Sequence, residues 1–234
     1  KTNTYEIKRK NLATSDANNQ LLVTGIENKV YNRNAHTQNV VINDTVADYA
    51  LTSNDFSVTY STSCINAEED IVIYINSNAS GNYSGTITRT FNIEKANVNY
   101  FVLLSTGAVY SARAQLIESE VKAGDIVLNP SEYKLVYKRD NVVTEDITNI
   151  GDIEVNISIV SSNFKIETSL PSQNFAIYKI NIEGVTLTHN IVGFNGETYS
   201  IEISSVVGEG GVVLKTTDYS VSYSDKDNNA LLNN

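Results

Sequence analysis

One eight-residue pattern occurs three times in this chain and limits what it can fold into. It reads SNDFSVTY at Ser53–Tyr60, PSEYKLVY at Pro130–Tyr137 and TTDYSVSY at Thr216–Tyr223. In each copy an acid (Asp55, Glu132, Asp218) precedes an alternating run: Phe56, Val58 and Tyr60; Tyr133, Leu135 and Tyr137; Tyr219, Val221 and Tyr223. Successive side chains of a strand leave opposite faces of a sheet, so this alternation predicts half-buried strands whose apolar members join a core. The acids lie 77 and 86 residues apart. That period fits a small domain and is too long for a solenoid turn.

The neighbouring sequence keeps the same period. Tyr31, Tyr110 and Phe194 precede the three acids by 24, 22 and 24 residues, as aromatic anchors of the turns VYNRNAHT, VYSARAQL and VGFNGETYS. A closing strand is read from Tyr5/Ile7, Phe91/Ile93 and Phe175/Ile177, spaced 86 and 84 residues apart. Residues 1–12 therefore read as one strand, the closing strand of a preceding repeat, with Tyr5 and Ile7 facing inwards. Residues 13–96 read as a whole repeat beginning at Leu21–Ile26, 97–182 as a second, diverged repeat, and 183–234 as the first part of a third. Between them stand the strands of Val40–Val46, Ile71–Ile75 and Ile150–Val160, the last with Ile153, Val155, Ile157 and Ile159 on one face. Loops are expected at Ser61–Asp70, Asn76–Gly85 and Lys138–Asn149. SNF at Ser162–Phe164 stands where GNY stands at Gly81–Tyr83. Six or seven short strands per 84 or so residues predict an all-β chain of tandem β-sandwich domains.

Composition narrows the function classes. A net charge of −10 lacks the basic stripe that nucleic acid requires, so no nucleic-acid partner is expected. No apolar run approaches a membrane span, and Lys1–Gln20 carries no signal-peptide pattern, so the segment is read as not membrane-embedded. The absence of Met from 234 residues suggests a mature or internal piece of a longer protein. Cys64 is the single cysteine, so no intradomain disulfide can form, and neither His36 nor His189 partners it in a nucleophilic arrangement. It reads as a small apolar filler.

Other constellations resolve into structural readings. Asp225-Lys-Asp227-Asn228-Asn229 has the spacing that opens some calcium loops but lacks the following Gly and the distal Glu, and reads as a polar turn. Asn195-Gly196 is a hairpin signal. Glu68-Glu69-Asp70 reads as a solvated loop rather than a cation site between repeats. Sequons at Asn43, Asn78, Asn82 and Asn156 are expected by chance in so Asn-rich a chain. The Tyr residues alternate with Val and Leu, as core aromatics do, and without Trp they make a poor sugar platform. No catalytic residue, metal ligand or cofactor site is predicted.

YNRNAHT, DFSVTYS, INAEEDIVIYI and GNYSGTITRTFNI together resemble an immunoglobulin-like repeat of bacterial cell-surface proteins. The resemblance covers essentially the whole chain and is best over Val30–Ala96. Glu68 stands where that family has Gly, and the second repeat lacks the Gly that follows GNY. The resemblance implies tandem immunoglobulin-like sandwiches in an extracellular stalk, filament segment or adhesin, with no shared catalytic residues. It also brings forward Lys95 and Lys179 for intramolecular Lys–Asn cross-links of the kind known in similar repeats. The expected partners are neighbouring repeats of the same or adjacent chains; a continuous longer chain is favoured over donation of Lys1–Leu12 to a neighbour's incomplete repeat, because the third repeat lacks at least two strands and that segment supplies one. The alternatives are a host glycan or protein bound through Ser61–Asp70 or Lys138–Asn149, or a phage decoration or fibre role.

Overall fold

The computed structural model describes residues 5–187 and 203–222. Among these the regular structure is β, apart from one six-residue helix, Leu12–Ala17, and a 3₁₀ turn at Glu209–Gly211. The chain is thus all-β. No helix among the described residues is long and apolar enough to cross a membrane. Two compact units are present. The first holds the described residues up to Tyr100 with Val121–Lys134 and Ile159–Leu170; the second holds Phe101–Glu120, Leu135–Ser158 and the described residues from Pro171 onward. Each unit therefore mixes residues of consecutive sequence repeats.

In the first unit a four-stranded sheet runs Lys29–Val30, Thr86–Glu94, Glu68–Ser77, Phe56–Tyr60. Ile71, Ile73 and Ile75 are buried while Tyr74 is exposed, the period of two that makes this stretch a strand. Phe91 lies opposite Ile71, and Ile87 opposite Ile75. Lys29 and Val30 join in parallel beside Ile93 and Glu94. A second sheet orders Leu21–Thr24, Val41–Asp44 and Tyr49–Ala50, with Leu21 and Ile42 buried.

The second unit holds a sheet in which Gly107–Val109, Gln173–Tyr178, residues 151–158, residues 135–139 and Val142–Thr144 lie side by side in that order, around Ile153, Val155, Phe175 and Ile177. Ile182–Leu187, Ile203–Gly208 and Val212–Val213 form another, with Val206 buried. In the first unit Lys122 and Ala123 also pair antiparallel with Val127 and Ile126.

The pairings recur at equivalent residues. Lys10–Asn11 runs parallel to Tyr83–Ser84, and Ala96–Asn97 parallel to Phe164–Lys165. The Tyr31 amide donates to the Glu94 carbonyl and the Tyr110 amide to that of Tyr178, both at 2.9 Å. Three leucines placed four residues before the three acids repeat one bond: the Leu51, Leu128 and Leu214 amides donate to Ile42, Val121 and Val206, each at 2.9 Å.

Several expectations need correction. The strand expected over Lys1–Leu12 is confined, among the described residues, to Lys10–Asn11, and Tyr5 and Ile7 are 89% and 98% exposed. Leu12, fully buried, opens a helix that sequence reading missed; the Asn11 side chain caps it by accepting the Thr14 amide at 2.9 Å. An Asn11→Ala chain should lose about 1 kcal/mol in a denaturant titration, and an unchanged midpoint would remove the cap from the account. Glu68–Asp70 is no loop but the start of a strand. The register slips between Glu68 and Ile71, where Asp70 takes φ 53° and its amide donates to the Asn92 side chain at 2.8 Å. Within Lys138–Asn149, Val142–Thr144 pairs back on Tyr137–Arg139 across a turn at Asp140 and Asn141, both at positive φ.

Among the repeat-defining residues, Tyr31, Phe91, Tyr110, Tyr133 and Phe175 are buried. Phe56, Val58 and Tyr60, on the edge strand of their sheet, are half-buried, as are Leu135, Tyr137 and Tyr219. Val221, read as core, is 48% exposed: it follows the last described strand and has no described strand paired beside it. Phe194 and Tyr223 lie outside the described residues, as do His189, Asn195-Gly196 and the Asp225–Asn229 turn.

Candidate functional site

The acid that opens each repeated motif has one local job. Asp55 Oδ2 accepts the Thr52 amide at 2.9 Å, Glu132 Oε2 the Asn129 amide at 2.7 Å, and Asp218 Oδ2 the Lys215 amide at 2.9 Å. The acid's own amide returns a bond to the carbonyl of that same residue three positions back, at 2.9 Å in all three cases. Asp55 and Glu132 thus lock the turns that deliver Phe56–Tyr60 and Tyr133–Arg139, and Asp218 locks an equivalent turn that no strand follows among the described residues.

Every carboxylate takes further donors, among them the Thr52 hydroxyl on Asp55 at 3.1 Å and the Thr217 hydroxyl on Asp218 at 3.3 Å, and beyond these the copies diverge. Tyr49 supplies its hydroxyl to Asp55 at 3.0 Å. Glu132 receives Arg33 Nη2 at 2.7 Å, from the turn anchored by Tyr31, and the same nitrogen donates to the Val127 carbonyl at 3.0 Å. Asp218 receives the hydroxyl of Tyr110, the next anchor, at 2.8 Å. An anchor segment of one sequence repeat is therefore bonded to the acid turn of the following one, twice, by different chemistry. Burial raises the Asp55 carboxyl, but the Thr52 and Tyr49 bonds outweigh it and the net shift is downward. The Lys215 amide, followed by the Tyr110 hydroxyl, lowers Asp218; burial, followed by Asp218, raises Tyr110.

In the first unit more contacts gather around Arg33. Tyr31 meets Phe164 edge to face at 5.3 Å and 87°, and the Arg33 guanidinium lies 6.0 Å from the same ring. Asn163 accepts the Ala67 amide at 2.9 Å and donates to the Asn66 side chain at 3.1 Å. The Ser61–Asp70 segment, read as a candidate ligand loop, is thus partly engaged with Asn163. Sequence reading saw the acids, the anchors and the GNY/SNF match but assigned no contact among them.

Cys64 is buried, at φ 56°, and its thiol donates to the Thr62 carbonyl at 3.6 Å. Burial pushes that thiol up, which keeps it protonated near neutrality and unsuited to attack. The His36 amide donates to the Cys64 carbonyl at 2.9 Å; the pairing is backbone to backbone. Among the described residues no group of three His, Cys, Asp or Glu is placed to hold a metal.

Two clefts stand out. One of about 540 Å³ is lined by Glu68, Glu69 and Glu94 with Lys95 and Lys165. The other, about 440 Å³, lies in the second unit between Tyr110, Ile150, Lys179, Ile182, Leu214 and Asp218. Lys95 and Lys179, singled out for cross-linking, thus each line one cleft. On the Lys138–Asn149 segment Val142 and Val143 are 67% and 65% exposed. Arg139 holds the segment's far end by donating to the carbonyls of Asp146, Asn149 and Ile150.

These features define an all-β chain joined by hydrogen-bonded turns. No family model matches it, and no curated protein does. A solved structure, domains 4–9 of the surface layer protein SbsC, is similar over 82% of this chain at 10% identity and a TM-score of 0.23. The chain spans 37% of the length of that structure.

Proposed function

We propose that this chain is a stalk or filament segment of a multi-domain extracellular surface protein, built of tandem immunoglobulin-like β-sandwich repeats and serving reach and assembly rather than catalysis. The observation that supports this reading is the repeated bond from an anchor segment to the next repeat's acid turn, Arg33 to Glu132 and Tyr110 to Asp218. A chain whose task is to carry load along itself needs such joints at regular spacing. The partners are neighbouring repeats, and the segment acts without a cofactor.

Pulling the whole chain by its ends in a single-molecule force experiment tests the reading. Two cooperative unfolding events are expected, one for each compact unit. Smooth extension without discrete events would overturn it. The exposed Val142-Val143 pair favours a second reading, an adhesin that meets a host glycan or protein at that hairpin. Under that reading Val142→Asp would abolish capture on host surfaces while leaving the force trace unchanged.

A further inference from the structure

The cleft at Tyr110, Ile182 and Leu214 has two filled counterparts in the same chain. In the first, Lys10–Asn11 runs parallel to Tyr83–Ser84, the Lys10 amide donates to the Asn82 carbonyl at 3.0 Å, and Tyr83 is buried. In the second, Ala96–Asn97 runs parallel to Phe164–Lys165, the Ala96 amide donates to the Asn163 carbonyl at 3.0 Å, and Phe164 is buried. Both fillings come from an extended segment with Asn followed by an aromatic residue. Both segments are also tied to the acid turn: the Asn78 amide donates to the Asp55 carbonyl, and the Val160 and Ser161 amides to that of Glu132.

Ile180-Asn181-Ile182 is the third version of Lys10-Asn11-Leu12 and Ala96-Asn97-Val98. Leu12 and Val98 are 0% and 1% exposed, whereas Ile182 is 54% exposed. Leu51 and Leu128 are buried, whereas Leu214, which makes the same backbone bond, is only half-buried. Tyr110, the counterpart of the Tyr31 that meets Phe164 edge-on, lines the cleft beside them. The cleft's volume of about 440 Å³ falls in the range, roughly 300–1,000 Å³, of pockets that enclose a ligand.

We infer that this cleft is a receptor for one extended peptide segment in which Asn is followed by Tyr or Phe. The segment runs parallel to Ile180–Ile182 and its ring sits against Tyr110 and Leu214. This is strand addition with a single aromatic pocket for specificity. It rests on the reading of the chain as a repeat array and names that array's binding partner.

The test is a fluorescence anisotropy titration of the 234-residue chain with a labelled peptide copying Val160–Thr168, VSSNFKIET. Saturable one-to-one binding is expected. The same peptide with Phe164→Ala should bind about 10- to 100-fold more weakly, the effect of withholding one buried aromatic ring. Ile182→Glu in the chain should weaken binding by a similar factor. Because Ile182 is exposed, that variant should keep the parent's circular dichroism and thermal midpoint. Binding that does not saturate, that is indifferent to the peptide's ring, or that survives Ile182→Glu overturns the inference. Failure here would leave the two unfolding events under force intact, whereas loss of those events would remove the array itself.

Discussion

Replacing Phe164 by Ala should lower the stability of this chain by about 3–5 kcal/mol, the cost typical of truncating a buried aromatic. The ring is 3% exposed, sits on a two-residue parallel pairing with Ala96–Asn97, and is the surface that both Tyr31 and Arg33 approach. A two-residue pairing brings too few backbone bonds to hold a segment by itself, so the ring fixes it. The check is a urea titration of the parent chain, Phe164→Ala, Tyr31→Ala and the double variant. Coupling of about 0.5–1.5 kcal/mol between the rings is expected from their edge-to-face geometry. A destabilisation under 1 kcal/mol, or strict additivity, would mean that the ring pair does not hold the anchor turn, leaving it to Arg33 and the Tyr31–Glu94 backbone bond.

The second large effect is electrostatic. Burial raises the Asp44 carboxyl, but the Lys10 ammonium at 2.7 Å, the Ala47 and Val46 amides and the Tyr83 hydroxyl outweigh it and bring it down to about 2. The ordinary value is 3.8, so the folded state binds this proton less readily than the unfolded state does. Stability from Asp44 is therefore complete above about pH 4 and is lost as pH falls toward about 2, amounting to on the order of 2 kcal/mol. Tyr83 marks the alkaline side. Burial, then Asp44, raises its hydroxyl to about 12, so its contribution is complete below pH 10 and lost as pH rises through 12. Removing the acceptor is harsher than protonating it. Asp44→Ala leaves a part-buried ammonium and a buried hydroxyl facing the vacated space, and about 3–5 kcal/mol should be lost. Thermal midpoints between pH 2 and 7 check both statements. The parent's acid-side slope should flatten in the variant, and an unchanged slope would place the acid sensitivity elsewhere.

Much of the strand layout was legible because burial on one sheet face writes itself as alternation. Ile153 and Val155, expected on one face, are both fully buried. The match of SNF to GNY carried through to equivalent parallel pairings of Phe164 and Tyr83. Pattern failed where burial depends on a neighbour. Tyr5 and Ile7 copy the spacing of Phe91 and Ile93, yet strand pairing begins only at Lys10 and both lie in solvent. The helix at Leu12–Ala17 was missed because six residues, ATSDA after Leu12, are too few to display a helical period. The anchor-to-acid bonds were hidden for another reason. One uses the arginine two residues past the anchor aromatic and the other the aromatic's own hydroxyl, so the contact recurs in space without recurring as a residue type.

The two aromatic closures also set a timetable. Lys10 waits for Tyr83, and Ala96 for Phe164, so each pairing joins positions about 70 residues apart. At a synthesis rate of roughly 5–20 residues per second, the second partner follows the first by on the order of 4–14 s. Pairings this remote are slow to form even in a finished chain. During that interval the earlier segment is open to the aromatic strand of any nearby molecule, and exchange between nascent chains is the natural error. Directional emergence, whether from the ribosome or across a membrane, would suppress that error, because each segment would meet its own partner before a stranger's.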